Sequence, residues 1–228
     1  EVTVRTEEVT LPYDPPAGFR IPAFLALSGL GDSVSAGFPD GLLYRYNTRD
    51  FENPYLEEKV DLVEEEGEGL TVLTWLLGRT TLLAGDTTGR IRAWFPARAP
   101  SLAEEGQAGE LLLVSGHEFP GEGSPVTALA SSSRMRLMGA GYGDGTVRAI
   151  HVTSEKELAE LSPVSGEGPV REIVFAPRDD GLMALFAHSI RFWGMDPQHP
   201  ETTLGSLFSR VWYEAVSYTH LRAHETVL

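Results

Sequence analysis

With 228 residues, 42% of them hydrophobic, the chain is long enough to fold around a buried core. Its 33 acidic against 18 basic residues leave a net charge of −15, a field that repels nucleic acid and anionic membrane surfaces and so excludes a nucleic-acid partner. It has no cysteine, which removes disulfides, thiolate metal sites and thiol nucleophiles.

The first 26 residues read as a lead-in or partial unit, and the start at Glu1, without a methionine or a signal-like leader, predicts a fragment whose true beginning lies upstream. From there the chain repeats itself. "AGFPDGLLYRY" (36–46), "AGDTTGRIRAW" (84–94) and "AGYGDGTVRAI" (140–150) share Ala-Gly, a second glycine four residues after the first, and in-phase apolar positions beyond it. A fourth copy, "ALFAHSIRFW" (184–193), keeps Ile190 and Trp193 in phase but places Leu185 and His188 at the glycine positions. Gly41, Gly89, Gly145 and His188 lie 48, 56 and 43 residues apart, a blade-like period.

Within a unit the pattern is that of a hairpin: an apolar strand, Asp-Gly or Thr-Thr-Gly at the turn, then an alternating strand in which Val147 and Ala149 share one face and Arg148 takes the other. "LTVLTWLL", "PVTALAS" and "PVREIVFAP" supply a further apolar strand ahead of units two to four. "GELLLVSG" (109–116) reads as a fourth strand, while "SEKELAEL" (154–161) has helical composition. No apolar run approaches the roughly 18 residues of a membrane span. The acidic run of Glu57, Glu58, Asp61, Glu64, Glu65, Glu66 and Glu68 reads as a solvated loop or strand edge. Trp75, Trp94, Trp193, Phe175 and Phe192 fall in strand patterns and are expected in the core between units. Arg90, Arg92, Arg148, Arg171 and Arg191 alternate with apolar residues and are expected to point away from it.

Three motifs invite a catalytic or binding role. "GAGYGDG" (139–145) has the glycines of a phosphate loop, but a strand follows it instead of the helix that such a loop needs. "GDS" at 31–33, with Asp196 and His199, resembles the blocks of a GDS-type esterase in which Ser33 would be the nucleophile and His199 its base. Gly31, however, falls opposite Gly78 of the next unit, which puts Ser33 in an ordinary inter-strand turn. His220, His224 and Glu225 have the spacing of helical zinc ligands.

Residues 116–152 resemble a WD-repeat unit, with the Gly116-His117 dipeptide, the Asp144-Gly145 turn, and Ile150-His151 where that family usually has Trp-Asp. The resemblance implies an all-β fold: a partial WD-like β-propeller of about four four-stranded blades from a larger ring. The blades would cover approximately 27–68, 69–115, 116–165 and 166–200. The repeat positions Gly41, Gly89, His117, Asp144, Gly145, Trp94 and Trp193 are then structural, and no catalytic, cofactor or metal residue is expected.

A second resemblance covers most of 70–215. "LLAGDTTGRIRAWFP", "VREIVFAPRDDGLMAL" and "RFWGMDPQHPETTLGSLFSRVWYEA" look like the large extracytoplasmic domain of certain bacterial phosphate ABC-transporter permease subunits. It implies an inner-membrane parent with this domain in the periplasm and residues 201–215 as a connector toward a membrane domain. The parent's membrane domain, ATPase subunits and a periplasmic phosphate-binding protein would be the partners. The alternative is a stand-alone WD-like interaction scaffold, with the esterase third. Residues 216–228 contain "VSYTHLRAHET", which matches the translation of a transposase-type sequencing adapter; on that reading the tail is artefactual and its histidines are no metal site.

Overall fold

The computed structural model describes residues 10–12, 21–63, 68–98, 111–121, 123–163, 165–176, 181–194 and the backbone of a strand at 210–214. Among the described residues sixteen strands form four antiparallel four-stranded sheets, each from consecutive strands. Blade 1 is β1 (Phe24–Leu27), β2 (Ser33–Gly37), β3 (Leu42–Asn47) and β4 (Tyr55–Asp61). Blade 2 is β5 (Leu70–Trp75), β6 (Leu82–Asp86), β7 (Ile91–Arg98) and β8 (Leu111–Phe119). Blade 3 is β9 (Val126–Ser131), β10 (Leu137–Tyr142), β11 (Val147–His151) and β12 (Lys156–Leu161). Blade 4 is β13 (Glu172–Phe175), β14 (Gly181–Leu185), β15 (Ile190–Gly194) and β16 (Arg210–Glu214). The first strands of successive blades lie side by side, as the inner strands of a propeller do.

Three placements differ from the sequence expectation. Gly116 and His117 lie inside β8, so the dipeptide that was to open the third unit belongs to the outer strand of blade 2. The helical-looking "SEKELAEL" is mostly β12, entered through a short 3-10 turn at Val152–Ser154. Context overrides propensity there: Ala159 pairs with Ala149 and packs toward blade 4, while Glu157 and Glu160 meet Arg148. Arg210–Glu214, in the stretch expected as a connector, pairs with β15 as the fourth strand of blade 4.

The core lies between the blades. Leu43 and Leu62 of blade 1 pack on Leu82, Ala84 and Trp94 of blade 2. Leu83, Ile91 and Phe119 of blade 2 pack on Met138, Ala140 and Ile150 of blade 3. Val147 and Ala149 of blade 3 meet Ile173, Leu182 and Trp193 of blade 4. A residue at the end of one outer strand (Leu62, Phe119) thus caps the next blade, and Leu11 packs on Phe38, Tyr44 and Tyr46 of blade 1 in the same manner.

This packing explains the Ala-Gly repeat. A Cβ on Gly85 would stand 2.8 Å from Val126 of the next inner strand, and one on Gly141 would overlap Val170. Absent side chains let the neighbouring blade close in. The second glycine has two constraints at once. Gly41, Gly89 and Gly145 have φ of 96°, 90° and 92°, and at Gly145 an added Cβ would stand 2.8 Å from the Gly168 carbonyl oxygen.

Candidate functional site

Strand β7 shows how polar side chains are handled. Ile91 and Ala93 face blade 3 while Arg92 and Trp94 face blade 1, so neither face of the sheet meets solvent. Arg92, Arg148 and Arg191 are therefore buried, against the expectation that they point outward. Each needs a partner, because an uncompensated buried cation is costly. The partner stands at the end of the preceding strand. Arg148 lies over the Tyr142 ring with its guanidinium carbon 5.3 Å from the centroid, Arg191 over Phe186 at 5.1 Å, and Arg92 is 3.6 Å from the Asp86 carboxylate. In blade 1 the pair is aromatic: Phe38 and Tyr44 meet edge to face at 5.2 Å, and the Lys59 ammonium sits 4.6 Å above Tyr44. The signal was present in the sequence, since the two positions are six residues apart in the first three units, but alternation alone could not show that both faces are covered.

Outer strands complete the neutralisation. Glu157 and Glu160 of β12 meet Arg148, Glu118 of β8 meets Arg92, and Glu57 and Glu58 of β4 meet Arg45. The acidic run is thus engaged where it is described: Asp61 accepts from the Val63 amide at 3.1 Å and Glu68 pairs with Arg90. Glu64, Glu65 and Glu66 lie outside the described residues. At the blade 3–4 junction the Ser189 hydroxyl, then Arg191 and His188, hold the Glu167 carboxyl below its usual value against the opposing effect of burial.

His117 and Asp144 are not brought together. The His117 Nδ1 lies 2.7 Å from Glu155, while Asp144 donates its amide to the Ser124 hydroxyl and accepts from the Thr146 amide, both at 2.9 Å. Trp94 and Trp193 are buried at equivalent register, and the Trp94 indole N–H has no hydrogen-bond acceptor. These tryptophans therefore act as packing. In blade 2 the turn is organised by Asp86, which accepts from the Thr88 amide at 2.8 Å, the Thr88 hydroxyl at 2.7 Å and the Arg90 amide at 3.0 Å. The sequence reading did not single out Asp86, although it stands where Phe38 and Tyr142 stand in the neighbouring units.

Ser33 opens β2 directly after the turn, with its amide donating to the Ser28 hydroxyl at 3.1 Å. Asp32 is occupied by the Ser28 hydroxyl at 2.7 Å and by Arg49, and the Ser28 bond chiefly holds its carboxyl below the usual value. No hydrogen bond joins Ser33 to a histidine among the described residues; Asp196 and His199 lie outside them, as do His220, His224 and Glu225. No cluster of three potential metal ligands occurs among the described residues, and none of their helices is long and apolar enough to cross a membrane.

The turns at the Ser33 end of the blades carry a different surface. Leu30, Phe51, Leu77 and Met135 are exposed there, Leu30 to 90%, and Arg49, Arg79, Arg134 and Arg136 stand among them. Between blades 1 and 2 this end opens into a cleft of about 330 Å³ whose lining includes Asp32, Arg45, Arg49, Trp75 and Arg79.

No protein-family model matches the chain, and no curated protein matches it in sequence. Solved structures do match in shape. The β-propeller domain of Cps50 (Swd1) from Myceliophteria thermophila superposes with a TM-score of 0.60 at 16% identity, over 78% of this chain and 54% of that one. The WD40 repeats of RRP9 give 0.59 at 11% identity, over 87% and 52%, and U3-55K gives 0.56 at 11%, over 79% and 50%. The chain thus spans about half the length of these propellers. The fold is an all-β, partial WD40-type propeller of four blades.

Proposed function

We propose that the chain is a non-catalytic protein-interaction domain that binds its partner through the turn end bearing Leu30, Phe51, Leu77 and Met135. The observation that carries this reading is the mixture on that end: exposed apolar side chains interleaved with the exposed arginines Arg49, Arg79, Arg134 and Arg136, whereas the buried Arg45, Arg92 and Arg191 meet carboxylates inside the fold. Arginine, methionine and aromatic residues are the types enriched where proteins meet. Photo-crosslinkers at Leu77 and Met135 are expected to trap a discrete adduct that Leu30→Asp with Arg79→Glu abolishes. Absence of the adduct, or an equal one from a crosslinker at Asp144 on the opposite end, overturns the assignment.

A second reading places this domain on the periplasmic side of a phosphate ABC-transporter permease. It is supported by the likeness of "RFWGMDPQHPETTLGSLFSRVWYEA" and the repeat segments to such permeases. The parent would then act with ATPase subunits and a periplasmic phosphate-binding protein. Sequencing the source gene past codon 215 tests it: apolar spans of about 20 residues support a permease, and a stop codon or further blades alone remove it.

A further inference from the structure

The chain carries 33 acidic residues, yet none falls in 69–85 or in 123–143, which hold the first two strands of blades 2 and 3 and the turns that join them. The charged residues of these two stretches are Arg79, Arg134 and Arg136, and all three stand in the turns at the Ser33 end. The turns are neighbours, since residues 76–79 and 131–133 line one groove. Two adjoining turns are therefore purely cationic on a molecule whose net charge is −15. Among the described residues neither Arg79 nor Arg136 has a carboxylate partner; Arg136 reaches the Thr153 hydroxyl, at 3.4 Å.

Arg79 is held in place against its backbone preference. Its N–H bonds the Leu76 carbonyl at 2.9 Å as the Gly31 N–H bonds that of Ser28 at 3.1 Å, so Arg79 takes the position that blade 1 gives to a glycine. Its φ is 51° and that of Gly31 is 71°, in the left-handed region that a Cβ disfavours. Backbone strain of this kind gathers at binding sites, and here it falls on a cation with no anion beside it.

Between blades 2 and 3 the same end opens into a cleft of about 500 Å³. Its lining combines Phe95, Pro96 and Val152 with Thr80, Thr153 and Arg136, and among the described residues it includes no carboxylate. His117 lines it too, but Glu155 at 2.7 Å from Nδ1 keeps the ring proton there and leaves Nε2 an acceptor in the neutral ring. The donors offered to a ligand are thus the Arg136 guanidinium and the threonine hydroxyls.

We propose that the partner presents a short acidic segment to these two turns, with one carboxylate side chain seated on Arg136 in the cleft, another at Arg79, and apolar neighbours against Leu77 and Met135. This rests on the assignment of the turn end as the partner-binding surface. Complementary charge sets the sign of the partner. A nucleic acid or an anionic membrane is also negative, but it extends well beyond the two turns and meets the repulsion of the remaining acidic surface.

Random dodecapeptides displayed on phage and selected on the purified chain should converge on Asp or Glu flanked by Leu, Ile or Phe. The selected peptide, synthesised with a fluorophore, should lose about tenfold in affinity on Arg136→Gln, and as much when an amide replaces its own carboxylate, the loss of one charge-assisted bond. Arg171→Gln, which removes an exposed cation beside Val170 at the other rim, should leave the affinity unchanged. Both altered arginines are exposed, so far-UV circular dichroism should not move. A selection that gathers no acidic residues, an affinity that Arg136→Gln leaves intact or that Arg171→Gln lowers equally, or single-stranded DNA bound as tightly as the peptide overturns the proposal. Any of these results with the Leu77 and Met135 adducts still formed removes the acidic partner and keeps the interaction surface; loss of the adducts as well removes both.

Discussion

The Arg148 guanidinium lies over the Tyr142 ring, six residues earlier in the chain, at 5.3 Å from the guanidinium carbon to the ring centre, and the same two positions meet in each blade with different chemistry. The site is a slot between the second and third strands. It accepts aromatic on aromatic in blade 1, cation on carboxylate in blade 2 and cation on ring in blades 3 and 4. What is held constant is a buried neighbour for a buried large side chain.

The carboxylate version is the most exposed to substitution. Asp86→Ala should destabilise by about 3 kcal/mol or more, since it strips the turn acceptor and leaves Arg92 without its nearest buried anion. Asp86→Asn keeps an acceptor for the Thr88 and Arg90 amides and should cost about half as much. Urea titrations followed by tryptophan fluorescence measure both; no loss in Asp86→Asn would mean that the charge contributes nothing, and equal losses that the turn acceptor does not.

Gly141→Ala should destabilise by about 1–3 kcal/mol through overlap with Val170, without any demand from backbone conformation. Val170→Ala should relieve it, so that the double variant is more stable than the sum of the single losses implies. At Gly145, where φ is 92° and Gly168 crowds the same side, no neighbouring substitution should rescue an alanine.

Glu167 makes the blade 3–4 junction sensitive to acid. Its folded value is depressed, first by the Ser189 hydroxyl and then by Arg191, so its stabilisation is present above the ordinary glutamate value of 4.5 and lost as pH falls through the lower folded one. The melting-temperature difference between the unaltered protein and Glu167→Gln should hold steady down to about that pH and shrink below it. A difference that widens in acid would refute the sign.

His117→Ala should cost no more than about 1 kcal/mol, the range of exposed pairs, because its partner Glu155 is 55% exposed and Asp144 is engaged elsewhere. Thermal melts that show a loss several times larger would place His117 in a buried network after all.

The repeat, the strand pairs and the glycine turns were legible because glycine spacing and period-two alternation survive in the letters themselves. Arg92, Arg148 and Arg191 were not: alternation assumes one wet face, and here a neighbouring blade covers each. "SEKELAEL" misled by composition, since the free edge of β11 decides its conformation. His117 resembled a family landmark but sits inside β8, a displacement visible only once the outer strand of blade 2 has been paired along its length.

Backbone bonds between blades follow one rule among the described residues. Leu70 to Pro39, Gly123 to Thr88 and Val170 to Tyr142 all lie where the second-to-third-strand turns meet the link into the next blade. That rim is sewn with backbone bonds, whereas on the far side blades 1 and 2 are joined through side chains, Arg45 donating to the Leu111 carbonyl and the Leu113 amide donating to Glu58. A foreign peptide grafted near Asp50 should therefore ride on the fold as cargo, whereas the same graft after Asp144 would unpick a seam.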